Sequence, residues 1–202
     1  TDNNVARRAV LKFDIAGSIP VGSTINSVSL GMTVTRGGNH ADATMSLHRV
    51  TADWGEGTNT CGVRGGGQGE PAVDGAATWL SAFHNQTPWG TAGGDFDVTP
   101  SGSTLVDNTT PVWDSNTTGN AAMLTDVQGW FTSPGTNYGW ILIGDESSPT
   151  TARRFDSTEG GAKPALVVDF TPSGPVEACC ASNGDCSLTL QGQCNDTPLP
   201  GV

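Results

Sequence analysis

The segment RRAVLKFDI, residues 7–15, decides the fold. Its side chains alternate between two faces, which is the period of a β-strand with one buried face. One face carries Ala9, Leu11, Phe13 and Ile15, and the other carries Arg8, Val10, Lys12 and Asp14. The segment therefore predicts a strand whose apolar face packs on a second layer of structure.

The same alternation recurs downstream, between short runs rich in glycine and proline. It predicts a second strand at 28–34 and a third at 45–49, and the apolar run YGWILIG at 138–144 predicts a central strand. Further strands are predicted at 104–113, 152–157 and 165–171. Many short strands separated by turns indicate an antiparallel β-sandwich or jelly roll, so the predicted fold class is all-β.

One short helix is expected, at about residues 125–132. Thr125 and Gln128 have the spacing of a capping box, the side-chain motif that satisfies backbone N–H groups at a helix start. Pro134 follows, and proline does not continue a helix.

The composition narrows the range of partners. The chain of 202 residues carries 9 basic and 20 acidic side chains, a net charge of -11. Nucleic acids and anionic membrane surfaces attract basic proteins, so neither is an expected partner. No run of 18 apolar residues occurs, so membrane insertion is not expected either.

The chain divides by composition into two parts. Residues 1–172 are predicted to form the sandwich, and residues 173–202 a linker and a cysteine-rich tail containing CCASNGDCSLTLQGQC. Dense cysteines in a short polar segment are typical of disulfides, which persist in oxidising compartments. Zinc is the alternative, but its usual C-x-x-C spacing is missing. The tail therefore predicts disulfides and an extracellular location.

The disulfide pairing is only partly predictable. Cys179 and Cys180 are neighbours, and bonding them to each other would strain the peptide between them. We therefore expect one of the two to bond Cys186 and the other Cys194, with Cys61 left over.

Carboxylates cluster in three places, with Asp53 near Glu56, Asp95 near Asp97, and Asp145 near Glu146. Calcium prefers six to eight oxygen ligands, so the candidate ligands of a Ca²⁺ ion are Asp53, Glu56, Asp95 and Asp97. The structural alternative is that they form ion pairs with arginines. The catalytic alternative is a glycosidase pair of carboxylates.

The chain has six tryptophans and one tyrosine, an unusual ratio. Exposed indole rings stack on sugar rings, and Trp54, Trp79 and Trp89 lie in loop-rich sequence, so they are the candidate glycan-binding residues. The alternative is that these rings close the ends of the sandwich.

Catalytic signatures are missing from the sequence. The three histidines, His40, His48 and His84, accompany no nucleophile motif, and no G-x-S-x-G elbow occurs. We therefore expect a protein that is not an enzyme.

Four segments carry a family resemblance, and they occur in family order. They are ARRAVLKFDIAGSIPVGSTINSVSLGMTV (6–34), HRVTADWGEG (48–57), DVQGWFTSPGTNYGWILIGDES (126–147) and RRFDSTEGGAKPALVVDFT (153–171). Over about residues 6–172 the chain resembles the DNRLRE-domain family. The resemblance implies a secreted bacterial jelly-roll module, similar to carbohydrate-binding modules and without catalytic activity. The tail resembles short cysteine repeats that end some secreted bacterial proteins.

The chain departs from this family at its start. Family members usually begin with one or two extra strands, whereas residues 1–6 alone precede the first strand here. A sandwich without those strands would have an open edge, so either the strands precede residue 1 in a longer chain, or another chain supplies them. The expected function is that of an extracellular structural or adhesive subunit that forms a homo-oligomer or homopolymer on a cell surface or in a filament. The alternative is a polysaccharide-binding module that uses the loop tryptophans.

Overall fold

The computed structural model describes residues 5–37, 41–58, 71–180 and 186–190. Its strands all pair antiparallel, and one α-helix lies among the described residues. The elements are β1 (Arg8–Leu11), β2 (Thr24–Gly31), β3 (Val34–Arg36), β4 (Ala43–Arg49), β5 (Ser81–Phe83), β6 (Thr87–Pro88), β7 (Gly102–Val106), β8 (Val112–Asp114), α1 (Ala122–Thr132), β9 (Trp140–Ile143), β10 (Arg154–Phe155), β11 (Ala165–Thr171), β12 (Val176–Cys180) and β13 (Cys186–Leu190).

Two sheets form a sandwich. The first has the strand order β1-β9-β4-β7, and the second has the order β11-β2-β8, with the short pair β10-β3 beyond it. Residues 107–111 connect β7 to β8, and these two strands contact each other between the sheets. The all-β sandwich prediction is thereby confirmed.

The main core lies between the two sheets. Leu47 and Leu142 project into it from the first sheet, and Val28, Leu30 and Trp113 project from the second. Trp113 is 0 % exposed, and its indole N–H donates to the Met45 carbonyl oxygen at 2.9 Å. The sheets are therefore joined by apolar packing and by a buried hydrogen bond.

Helix α1 closes one end of the sandwich. Met123, Val127 and Trp130 are its buried apolar residues, and the Trp130 ring packs on Trp140 with ring centroids 4.7 Å apart. Asp126 accepts the Trp140 indole N–H at 2.8 Å, and burial raises the pKa of the Asp126 carboxyl. Packing against β9 thus fixes the position of the helix.

A second, smaller core covers the outer face of the first sheet. Val50, Ala82 and Trp89 from the chain between β4 and β7 pack there on Ile141 of β9. Hence β9 is buried on both faces, which explains the continuous apolar run at 138–144. We call this covering segment, residues 50–58 and 71–101, the cap.

Several local predictions were wrong in detail. The first strand is shorter than predicted, since its pairing with β9 ends at Leu11. The predicted strand at 104–113 is two strands in different sheets, and the strand at 152–157 is reduced to Arg154–Phe155.

The predicted capping box is also wrong. The helix begins at Ala122, so Thr125 lies inside it, and the structure shows no side-chain cap. Gln128 instead accepts a hydrogen bond from the Ile25 N–H at the start of β2. A tertiary contact therefore uses the side chain that the local motif had assigned to the helix start.

The described part of the tail is a hairpin of β12 and β13, with Cys180 opposite Cys186 in its register. These two cysteines form a disulfide, which confirms one half of the expected pairing. Cys61 and Cys194 lie outside the described residues. Among the described residues, no helix combines the length and apolar character needed to cross a membrane.

Candidate functional site

The two sides of the sandwich, where the outermost strands of its sheets lie, differ in how these strands are covered. On one side β7 and β8 contact each other and share a short connection. On the other side lie β1 and β11, each the terminal strand of its sheet. Among the described residues, β1 pairs only with β9 and β11 pairs only with β2. Both strands therefore present one edge of backbone N–H and C=O groups that no described strand uses.

Half-buried apolar side chains line this side between the two sheets. Each packs on the main core while remaining partly exposed. They are Leu11 and Phe13 beside β1, and Leu166, Val168 and Phe170 on β11. We call these five residues, together with the outer edges of β1 and β11, the seam.

Strand β11 is the longer edge of the seam. It has seven residues, ALVVDFT, with Asp169 as its single charged residue. Its outward face exposes Val167, which is 63 % exposed. Long apolar edge strands are templates for pairing with another chain, and proteins usually protect them with charges, prolines or bulges. Here the register shifts between Asp169 and Phe170, so a single bulge and a single charge modify the edge.

Strand β1 is shorter and is held firmly from the cap side. The Arg8 guanidinium donates two hydrogen bonds to the Glu146 carboxylate, both at 2.8 Å, and one to the Gly93 carbonyl oxygen at 2.9 Å. It also lies over the Trp79 ring, 4.8 Å from the ring centroid. Hydrogen bonding to Arg8 lowers the pKa of Glu146. These contacts fix the position of β1, whose other edge pairs with no strand among the described residues.

The packing is incomplete at one end of the seam. A solvent-open pocket of about 260 Å³ lies beside Phe13, with Lys12, Trp130 and Pro134 among its lining residues. Trp130 is 2 % exposed, and its indole N–H has no hydrogen-bond partner among the described residues. Buried indole N–H groups usually have a hydrogen-bond partner, as Trp113 does. Hydrogen bonding is therefore less complete at this end of the sandwich than on the Trp113 side.

The three candidate glycan-binding tryptophans lie in or beside the second core, with different exposures. Trp89 is 7 % exposed and donates its indole N–H to the Thr78 carbonyl oxygen, and Trp54 is half-buried and donates to the Tyr138 carbonyl oxygen. Trp79 is 43 % exposed. Of the three rings, therefore, Trp79 has the largest surface available for stacking.

The four candidate calcium ligands have separate surroundings. Asp95 accepts hydrogen bonds from the backbone N–H groups of Gly90 and Thr91, and Asp97 forms an ion pair with Arg49 at 2.8 Å. Asp53 and Glu56 are exposed on another loop. In the described part of the chain, no three or more His, Cys, Asp or Glu side chains are grouped so as to hold a metal ion. Calcium binding by these residues stays a prediction.

Sequence reasoning identified the strand that carries the seam but missed its role. The alternation in ALVVDFT predicts β11 correctly at 165–171. Alternation does not reveal whether a strand is internal or terminal, because both kinds can have one buried face. The available signal was the length of this strand combined with its single charge.

Comparisons of the chain with protein-family models, with curated proteins and with solved structures found no match.

Proposed function

We propose that this chain is an extracellular, non-catalytic structural or adhesive subunit that associates with copies of itself through the seam. The observation that carries the proposal is that two strand edges, neither of them paired with any described strand, flank a row of half-buried apolar side chains. A strand from a second chain would pair with such an edge and cover the apolar row. In the proposed assembly a strand from another chain completes the sandwich, on a cell surface or in an extracellular filament.

The extracellular location is supported by the Cys180–Cys186 disulfide. Structural disulfides persist where thiols are not continually reduced. The low charge density of the chain, with 14 % charged residues, also suits a protein that packs against its own copies.

The test compares two lysine substitutions on opposite edges of the second sheet. Val167 on β11 is 63 % exposed, and Val112 on β8 is 49 % exposed. A lysine on an edge strand opposes pairing with another chain. We expect Val167→Lys to shift the purified full chain from oligomer to monomer, and Val112→Lys to leave the oligomer intact. The measurement is mass by light scattering after size exclusion, over a range of protein concentrations.

Two outcomes would contradict the proposal. One is a wild-type chain that stays monomeric at every concentration tested. The other is equal loss of association in both variants, since that would reflect added charge and not the position of the seam.

A second candidate function is polysaccharide binding at Trp79. The observation that favours it is the exposed Trp79 ring, which is held by Arg8. An indole fixed in this way can stack on a sugar without a large loss of side-chain entropy. We expect Trp79→Ala to abolish retention on insoluble polysaccharides, whereas Leu80→Ala, at a neighbouring residue that is 66 % exposed, should retain it. Unchanged retention in Trp79→Ala would eliminate this ring as the binding site.

A further inference from the structure

We infer that the partner at the seam is a second copy related by a two-fold axis, with β1 of each copy paired to β11 of the other. This inference rests on the proposed self-association and specifies its geometry. It predicts a closed dimer as the unit of assembly, in place of an open chain of subunits joined at the seam.

The first argument is the placement of the two edges. Since β7 and β8 contact each other at one side, the terminal strands β1 and β11 share the opposite side. Consider a two-fold axis that runs parallel to the strands just outside the β1/β11 side. Rotation about it places the second sheet of one copy next to the first sheet of the other. The first sheet of one copy then continues into the second sheet of the other, and both edges of both copies are paired at once. Such an interface is isologous and closed.

The second argument is strand direction. Each pairing within the two sheets is antiparallel, so the direction of the chain reverses from each strand to its neighbour. It also reverses between β7 and β8, since the connection 107–111 is too short for the crossover that parallel strands need. Following the chain of pairings, β1 and β11 run in the same direction. A two-fold axis along the strands preserves that direction, so the new pairing is parallel and needs no additional segment.

The third argument is charge. Arg8 and Lys12 lie on the outward face of β1 and just beyond it, and Asp169 lies on the outward face of β11. Lys12 follows the first residue of β1 by four positions, and Asp169 follows the first residue of β11 by four positions. We take the register in which the two strands start together, and it places Lys12, the residue that follows β1, level with Asp169.

Like-with-like pairings are disfavoured by the same residues. Parallel pairing of β1 with β1 would bring Lys12 close to its own copy, and like charges on adjacent strands are destabilising. The Lys12 ammonium is 3.9 Å from the nearer Asp53 carboxylate oxygen, and both side chains are about half exposed. That contact is long and largely exposed to solvent, so it competes weakly with a closer partner.

The decisive experiment is a charge swap in the full chain. In the proposed dimer, Lys12→Glu alone would place a second carboxylate beside Asp169 of the other copy. Asp169→Lys alone would place a second ammonium group beside Lys12 of the other copy. We expect each variant to weaken dimerisation at least tenfold. An equimolar mixture of the two should recover dimers, because each cross-pair then has opposite charges. Lys163→Glu and Asp42→Lys make the same changes in net charge at exposed residues outside β1 and β11, and they should dimerise as the wild type does.

The results separate this geometry from the proposed function. Dimers that are recovered only in the mixture support the reciprocal β1–β11 pairing. A mixture that stays monomeric, or an Asp169→Lys variant that dimerises normally, overturns the pairing and leaves self-association standing. Recovery of long polymers in place of dimers overturns the closed two-fold arrangement. A monomeric wild type overturns the proposed function as well.

A neutral substitution tests the competing role of Asp169 as a charge that merely prevents pairing. Asp169→Asn should weaken the dimer if the carboxylate contacts the partner's edge. Stronger association of Asp169→Asn would show that the charge opposes pairing, and it would overturn the inference.

Discussion

The β7/β8 side and the β1/β11 side of the sandwich are both formed by outermost strands, but they differ in how completely these strands are packed. On the β7/β8 side the chain turns directly from one sheet into the other, and Trp113 fills the space behind that turn with 0 % exposure. On the β1/β11 side the corresponding side chains, such as Phe170, are only half-buried, and the backbone edges have no described partner. The difference indicates that stability is concentrated on the closed side, while the open side has surface available for association.

The strongest test of this contrast compares two aromatic truncations. Trp113→Ala removes a fully buried ring and leaves the Met45 carbonyl oxygen without its donor, so we expect a loss of about 3–5 kcal/mol in the free energy of unfolding. Phe170→Ala removes a ring that is already partly hydrated, and we expect about 1–2 kcal/mol. Denaturant unfolding of both variants at a concentration where the chain is monomeric gives the two values. Equal losses would contradict the contrast between the sides.

A weaker effect is expected from the ion pair that holds β1. Hydrogen bonding to Arg8 lowers the pKa of Glu146 in the folded chain from its ordinary value of 4.5. A lowered carboxyl pKa contributes stability above the unfolded pKa, and this contribution is lost as the pH falls through the folded pKa. Because both side chains are partly exposed, we expect about 1 kcal/mol at neutral pH.

Glu146→Gln isolates that contribution. The difference in unfolding free energy between wild type and variant should be largest near neutral pH and should shrink as the pH falls below about 5. Other carboxyls with lowered pKa values, such as Asp145 and Asp107, titrate in both proteins and cancel in the difference. A difference that does not change with pH would mean that the Arg8 contact does not stabilise the charged form.

The smallest effect on stability should come from the edge lysines used in the association test. Val167 and Val112 are both largely exposed, so each lysine should change the unfolding free energy of the monomer by less than about 0.5 kcal/mol. Thermal unfolding at low protein concentration measures this directly. A large loss in Val167→Lys alone would mean that the seam supports the monomer, and the contrast between the two sides would need revision.

The local sequence pattern was sufficient to predict the strands in which apolar and polar residues clearly alternate. Val28 and Leu30 alternate with serines and a glycine, and both are buried in β2, while the predicted strand at 165–171 has the observed bounds. The central position of β9 could be predicted too, since a strand covered on both faces must be apolar throughout. The sequence predicted that Cys186 bonds either Cys179 or Cys180, because a bond between those two neighbours would strain the peptide that joins them, and the structure shows that the partner is Cys180.

The predictions that failed depended on residues distant in sequence. Thr125 and Gln128 match a capping motif, yet the helix starts earlier, because packing of Met123 and Val127 in the core outweighs a local cap. The loop tryptophans looked alike in sequence, but the cap buries Trp89 and leaves Trp79 exposed.

The sequence by itself determined an acidic, glycine-rich chain of short antiparallel strands with a disulfide-bonded tail, because periodicity, turn residues and cysteine spacing are local properties. The tertiary structure alone decided which strands lie at the ends of the sheets and on the same side of the sandwich. Strand order depends on pairings between residues more than 100 positions apart, such as Arg8 with Ile143 and Val28 with Val168. No local pattern encodes such pairings, since their free energy depends on the whole core that they enclose.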